Sequence, residues 1–157
     1  MAGIIFICNA NRCRSPMAQA ILKKALVERG LSRLAVSSMG IHAHDGEPAT
    51  EFAVAVCREQ GIDIEEHRSR PLIPDELKIS DLILTMEPVQ VDFIDLFFPQ
   101  VSDRLFMLAS WPDRKGKKAT IPDPVGKSIN AHRKTFRLLR EHIDFLLPEL
   151  IERYGNY

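Results

Sequence analysis

A chain of 157 residues, 45% of them hydrophobic, has enough apolar side chains for one well-packed domain and is short for two. Lys plus Arg and Asp plus Glu each number 21, so no overall field draws the chain to nucleic acid or an anionic membrane. Any recognition of anions must be local.

The opening MAGIIFIC carries neither a basic leader nor an apolar segment long enough for a signal or a span, which predicts a cytoplasmic protein that makes no membrane contact. Gly3 to Cys8 is a β-branched and aromatic run suited to a buried strand. Ser15-Pro16 reads as a helix start, with Ser15 at or near the N-cap and Pro16 in the first turn. Apolar residues from Met17 to Leu26 recur at helical spacing, and the helix stops near Gly30. Leu34 to Ser38 is a second strand, closed by Met39-Gly40; HAHDGEP is loop; residues 49–60 form a second helix ended by Gly61. Leu82 to Met86 is a third strand, residues 88–98 a helix, and Leu105 to Leu108 a fourth strand. Residues 110–128, rich in Pro, Gly and Lys, read as a long ordered loop. From about Ser128 a last helix places Phe136, Leu139, Ile143, Leu146 and Leu150 on one face, with a kink or break expected at Pro148.

Strands alternating with helices imply an α/β fold, a parallel sheet covered on both faces, within one domain over residues 1–157. Ligands in such folds bind beyond the carboxyl ends of the strands, near the switch in strand order. The peptide CNANRCRSP, Cys8 to Pro16, falls at such an end.

A loop of that length between strand and helix can curl its backbone N–H groups inward, and the helix start adds its positive dipole end. Such a ring binds a tetrahedral dianion, and Arg14 can close it with a bidentate guanidinium. The same field favours Cys8 as a thiolate, with the Ser15 hydroxyl placed to donate to the sulfur. A thiolate there can attack phosphorus in line, and the leaving oxygen then needs a proton. Asp123, held between prolines in PDP, is the candidate acid, although a turn-forming role would suit the same residue.

Three cysteines, at 8, 13 and 57, are too few for a disulfide scaffold, and no paired CxxC knuckles offer a zinc site. Cys57, on an apolar helical face, reads as core filler. His42 and His44 lack matching ligands at useful spacing and read as surface loop, so neither metal nor cofactor is expected. The basic run Arg114, Lys115, Lys117 and Lys118 reads as a solvated loop, and Trp111 as its packing anchor.

C-N-A-N-R-C-R-S-P followed by M-A-Q-A resembles the phosphate loop of the low-molecular-weight protein tyrosine phosphatases. Ser37-Ser38-Met39-Gly40, REQGID, EHRSR, DLILTM and IPDP follow in that family's order at similar spacing, so the resemblance covers nearly the whole chain. It implies a four-stranded parallel sheet of order 2-1-3-4 with helices on both sides. It also implies hydrolysis of phosphotyrosine in a phosphorylated protein substrate by a cytosolic, metal-free enzyme, and nothing in the sequence demands more than a monomer. Residues Asn9, Ala10, Asn11, Arg12, Cys13 and Arg14 would form the phosphate loop, with Cys8 as nucleophile, Arg14 as clamp and Asp123 as acid and then base. Asn11 would brace the loop, Ser15 would stabilise the leaving thiolate, and Ser38 and His67 would join a network behind Asn11. Cys13 would be the thiol that traps an oxidised Cys8 as a reversible disulfide; from the residues alone, buried filler fits it equally.

Three positions depart from that pattern. Ala10 stands where the family usually has Gly, which would cost about 1 kcal/mol if a positive φ is needed there. Arg12 replaces an apolar wall residue, and its charge would attract acidic flanking residues or crowd an incoming ring. Val125-Gly126 follow Asp123-Pro124 where tyrosine-specific members place an aromatic. The stretch DPVGKS resembles the bacterial protein-arginine phosphatases of the same superfamily, but those carry a small Thr at the position of Arg12, whose cation should repel a phosphoguanidinium. Two further readings share the loop. Thioredoxin-coupled arsenate reductases need two later cysteines, absent after Cys57. A phosphopeptide-binding module would not need Cys8, Arg14 and Asp123 together.

Overall fold

A computed structural model describes residues 3–112 and 120–156. Strands β1 (Gly3–Cys8), β2 (Ala35–Gly40), β3 (Leu82–Thr85) and β4 (Leu105–Met107) form one sheet of order β2-β1-β3-β4, parallel throughout. Helices α1 (Arg14–Glu28), α2 (Glu51–Glu59), α3 (Pro74–Ile79), α4 (Pro88–Phe97) and α5 (Ile129–Tyr154) complete the fold, with a 3₁₀ turn over Pro99–Arg104. The expected α/β sandwich, with helices on both faces, is what forms.

Side-chain alternation along the central strand decides which core each residue joins. Ile4, Phe6 and Cys8 of β1 point into the core shared with α1, α2 and α5, together with Leu82 and Leu84 of β3. Ile5, Ile7 and Ile83 point the other way, onto Leu77 of α3 and Ile94 of α4. Burial on both faces explains why β1 reads as an unbroken apolar run. Trp111 is buried in the first core, with the Arg153 guanidinium 5.4 Å from its ring, as expected of a packing anchor.

Sequence and structure differ at four points. Ser15 is not a helix cap: α1 begins at Arg14 with Cys13 as N-cap and no capping side chain, because the Ser15 hydroxyl is engaged elsewhere. Helix α3 has Pro74 in its first turn and buries Leu77 alone, too little apolar spacing to register in the sequence. Of the kink or break expected at Pro148, the break does not occur: α5 runs on to Tyr154. Pro148 and Asp144 both lie on the exposed side of α5, so the carbonyl that a proline leaves unpaired can turn to water. Ala10 needs no left-handed backbone; among the described residues the non-glycine position with positive φ is Asn11, at 55°. The basic run from Arg114 to Lys118 lies outside the described residues.

Candidate active site

The loop between β1 and α1 is organised around a buried asparagine. Asn11 adopts its left-handed φ at the lower cost that Asn has there, and its side chain uses its full donor capacity. The Arg70 N–H donates to Asn11 Oδ1 at 2.9 Å, which fixes the orientation of the amide. Asn11 Nδ2 therefore donates to Ser15 Oγ at 2.8 Å and to Ser38 Oγ at 2.9 Å. Ser38 passes its own proton to Gln19 Oε1 at 2.6 Å.

Ser15 Oγ, accepting from Asn11, keeps its hydrogen for Cys8 Sγ, 3.0 Å away. The Asn11 N–H also donates to that sulfur at 3.3 Å. Two donors thus converge on Cys8 while it sits buried at the end of β1. The amides of Ala10, Arg12 and Cys13 donate to no acceptor among the described residues. The loop is held from outside: His42 N–H donates to Asn9 O at 2.8 Å and Thr50 N–H to Arg12 O at 2.8 Å. Gly40 packs so closely that an added Cβ would lie 2.6 Å from Asn9 O and 2.8 Å from Asn11 N, which accounts for a residue without a side chain there.

Arg14, buried at the start of α1, reaches across to the start of α4 and to the loop before α5. Its Nη1 donates to Glu87 Oε1 and, at 2.8 Å, to Ile121 O. Its Nη2 lies 3.6 Å from Asp123 Oδ2. Both hydrogens of Nη1 are thereby used, and the Nε/Nη2 edge, the one suited to bidentate oxyanion binding, remains. Asp123 is exposed, and Oδ1 accepts from the Val125 N–H at 3.1 Å, so local turn geometry and a long-range charge both hold the carboxylate. Ile121, buried and bonded through its N–H to Met86 O at 2.9 Å, pins the segment that carries Asp123.

His67 Nε2 lies 2.7 Å from Asn11 O, and a carbonyl can only accept, so the proton sits on Nε2. Burial pushes the imidazole below its ordinary value of 6.5; Arg68 and Arg70 act the same way, and the bond to Asn11 opposes them. Burial is also the main force that raises the Cys13 thiol to about 12, with Cys8 and Asp123 adding to it. Cys57, buried within the α2 core, is raised to about 12 by the same cause, as filler should be. The Arg12 Nε donates to Pro48 O at 2.8 Å and lies 3.5 Å from Glu47 Oε2, so its charge is tied to the loop before α2 and partly offset. Among the described residues no group of three or more His, Cys, Asp or Glu side chains could hold a metal ion.

The sequence-predicted residues of the loop, with Ser38, His67 and Asp123, are therefore brought to one end of the sheet. Residues 3–155 match the family model for low molecular weight phosphotyrosine protein phosphatase. The chain belongs to this family. It is 35% identical over 147 residues to a probable low molecular weight protein-tyrosine-phosphatase, EpsP, of Ralstonia nicotianae, covering 94% of each chain. It is 33% identical to a protein-arginine-phosphatase of Bacillus subtilis, covering 96% of this chain and 95% of that one. A solved structure of the YwlE arginine phosphatase, a cysteine-to-serine mutant with a phosphorylated active-site serine, superposes with a TM-score of 0.88 at 32% identity. That match covers 94% of this chain and 95% of the other.

Four contacts of this phosphatase fold escaped sequence reasoning: Glu87 on Arg14, Gln90 on Asn9, and Gln19 and Arg70 on the Asn11 network. Only Glu87 and Gln90 left a local trace, as the capping box around Pro88 at the start of α4. Glu87→Gln leaves Arg14 a buried cation without its carboxylate. In phosphate-free buffer this variant should melt about 5 °C below the parent, and saturating inorganic phosphate should narrow that gap by supplying the missing negative charge. Equal phosphate-induced shifts in the two proteins would refute the compensation. A neutral His67 gives a second expectation. The unfolded chain binds its proton near 6.5 and the folded chain binds it only at lower pH, so the stability from neutral His67 is complete above that value and declines as pH falls through it. Melts between about pH 7.5 and pH 5.5 should therefore show a steeper loss for the parent than for His67→Gln, whose amide can still donate to Asn11 O.

Proposed function

We propose that this protein removes phosphate from phosphotyrosine in protein substrates through a phosphocysteine intermediate. The Cys8 thiolate attacks phosphorus in line, forming the S–P bond as the P–O bond to the phenol breaks, and Asp123 gives its proton to the departing oxygen. Asp123, now a carboxylate, takes a proton from water as that water attacks phosphorus; the S–P bond breaks, releasing phosphate and the thiolate. The amides of residues 9–14 and the Nε/Nη2 edge of Arg14 hold the equatorial oxygens, and Ser15 stabilises the sulfur each time it leaves. Asn11, Ser38 and His67 position the loop. Cys13 is proposed as the thiol that protects an oxidised Cys8. This mechanism calls for neither metal nor cofactor.

One observation carries the reading: donors converge on Cys8 Sγ while the Arg14 guanidinium links the same loop to Asp123, 3.6 Å from Nη2. A nucleophile, an anion clamp and a proton donor around one space is the arrangement this two-step displacement needs. We also infer a single catalytic domain over residues 1–157 that works as a monomer in the cytoplasm. Among the described residues no helix is long and apolar enough to cross a membrane.

Phosphoarginine is the second reading. The Bacillus subtilis relative acts on protein arginine phosphate by name, and Glu47 offsets the Arg12 charge that would repel a phosphoguanidinium. Phosphotyrosine stays first because Arg12 keeps a cation where the arginine phosphatases resemble one another in a small Thr.

Hydrolysis of p-nitrophenyl phosphate should fall by at least about 10³-fold in Cys8→Ser and kcat by about 10²-fold in Asp123→Asn. A competition panel of phosphotyrosine, phosphoserine and phosphoarginine peptides should favour phosphotyrosine. Activity persisting in Cys8→Ser would end the mechanism, and faster turnover of phosphoarginine would reverse the ranking.

A further inference from the structure

We propose that a basic groove beside the phosphate loop, running from Arg12 past Lys127 to Lys134, docks acidic residues flanking the phosphorylated tyrosine. The proposal rests on the phosphotyrosine reading above and adds the chemistry of the surrounding polypeptide.

Two concavities meet at Lys127. One, of about 380 Å³, lies between Arg12, Phe52, Val125 and Lys127. The other, of about 290 Å³, lies between Asp123, Lys127, Lys134 and Leu138. Arg12 belongs to the phosphate loop and Asp123 is its proposed proton donor, so the groove is continuous with the site. A peptide whose phosphotyrosine enters the loop must lay its neighbouring residues nearby.

The charges along the groove are unbalanced. Lys127 and Lys134 are exposed and have no acidic partner among the described residues. Some surface cations elsewhere are matched, as in Lys24 with Glu28, Arg58 with Glu65, Arg133 with Glu59 and Arg153 with Glu149, while Lys23, Lys78 and Arg137 are not matched among the described residues. Lys127 and Lys134 differ from these in bordering the candidate site. The opposing acids are Glu51, on the rim near Arg12, Glu47, already engaged by Arg12, and Asp123, which must carry the leaving-group proton in the proposed mechanism. With Asp123 protonated, Arg12, Lys127 and Lys134 face the two carboxylates of Glu47 and Glu51, and in a chain of zero net charge this excess of one positive charge is what an incoming anion meets. Apolar surface lies between the cations, with Phe52 42% and Val125 50% exposed. Phe52 is oriented by edge contact with the His132 ring at 5.2 Å. The occupant that fits is an acidic segment carrying an apolar side chain, since two neighbouring ammonium groups gain most from carboxylates and the exposed rings and methyls from aliphatic contact.

The test compares matched phosphotyrosine peptides with acidic, neutral and basic flanks, using p-nitrophenyl phosphate as the substrate that has no flanks. The parent protein should show kcat/KM about tenfold higher for acidic than for basic flanks at low ionic strength, with the preference shrinking at high salt. The double variant Lys127→Glu, Lys134→Glu should lose or invert that preference while hydrolysis of p-nitrophenyl phosphate stays within about twofold. Parent activity that is equal for all three flanks would overturn the groove and leave the phosphotyrosine reading standing. Cleavage of p-nitrophenyl phosphate with no cleavage of any phosphotyrosine peptide would overturn both. Should the double variant not fold, the flank preference of the parent and its salt dependence decide the matter alone.

Discussion

The site depends on the buried carboxamide of Asn11. An amide has one acceptor oxygen and two N–H donors, and here each has a fixed partner: the Arg70 N–H, Ser15 Oγ and Ser38 Oγ. That assignment leaves the Ser15 proton one direction to go, toward Cys8 Sγ. The polarity around the sulfur is therefore set by a hydrogen-bond chain before any substrate arrives. Donors already oriented toward a site of developing charge need no reorganisation during the reaction, which is the usual source of large electrostatic stabilisation. The left-handed φ of Asn11 is the local strain that this network offsets.

The sheet makes the network possible. Parallel pairing sets Phe6 beside Ser38 and Cys8 beside Gly40. Alternation then turns Cys8 to the face on which α1 packs, and α1 carries Ser15 and Gln19. A slip of one residue in β2 would replace Ser38 by a neighbour facing the opposite core. Gly40 at the end of β2 has a different task, since backbone atoms of the loop occupy the space its side chain would need. Catalytic geometry and strand register are thus one constraint.

Much of this was legible because its causes are local. The apolar run of β1, the Ser-Pro helix start and the spacing from Cys8 to Arg14 all sit within one short stretch, and PDP announces a restrained carboxylate on its own. What was not legible depends on partners distant in sequence. Gln19 and Arg70 fall within M-A-Q-A and EHRSR, yet no local feature shows what they bond until β2 and the segment after α2 are in place. Glu87 reads as an ordinary helix cap until Arg14 is seen reaching it. Ala10 misled for the opposite reason: the left-handed residue of the loop is its neighbour, where a side-chain network can offset what glycine would avoid. The type and position of Ser15 suit both a cap and a partner of the sulfur; only the second role is filled, its oxygen serving the sulfur and the asparagine.

Glu87 raises an apparent contradiction, since a carboxylate beside Arg14 should weaken it in its proposed role of anion clamp. The guanidinium resolves it by having separate edges. Nη1 is committed to Glu87 and the Ile121 carbonyl, which keeps the cation paired and the plane of the guanidinium fixed within a buried setting. The remaining edge turns toward Asp123, whose carboxylate is itself held by the Val125 amide. A lysine could neutralise one carboxylate as a point charge, but it could not hold two groups at a fixed angle and keep a bidentate face. The arrangement therefore requires arginine at position 14, and Arg14→Lys would retain the charge while losing the geometry that joins the loop after β1 to the start of α4 and to Asp123.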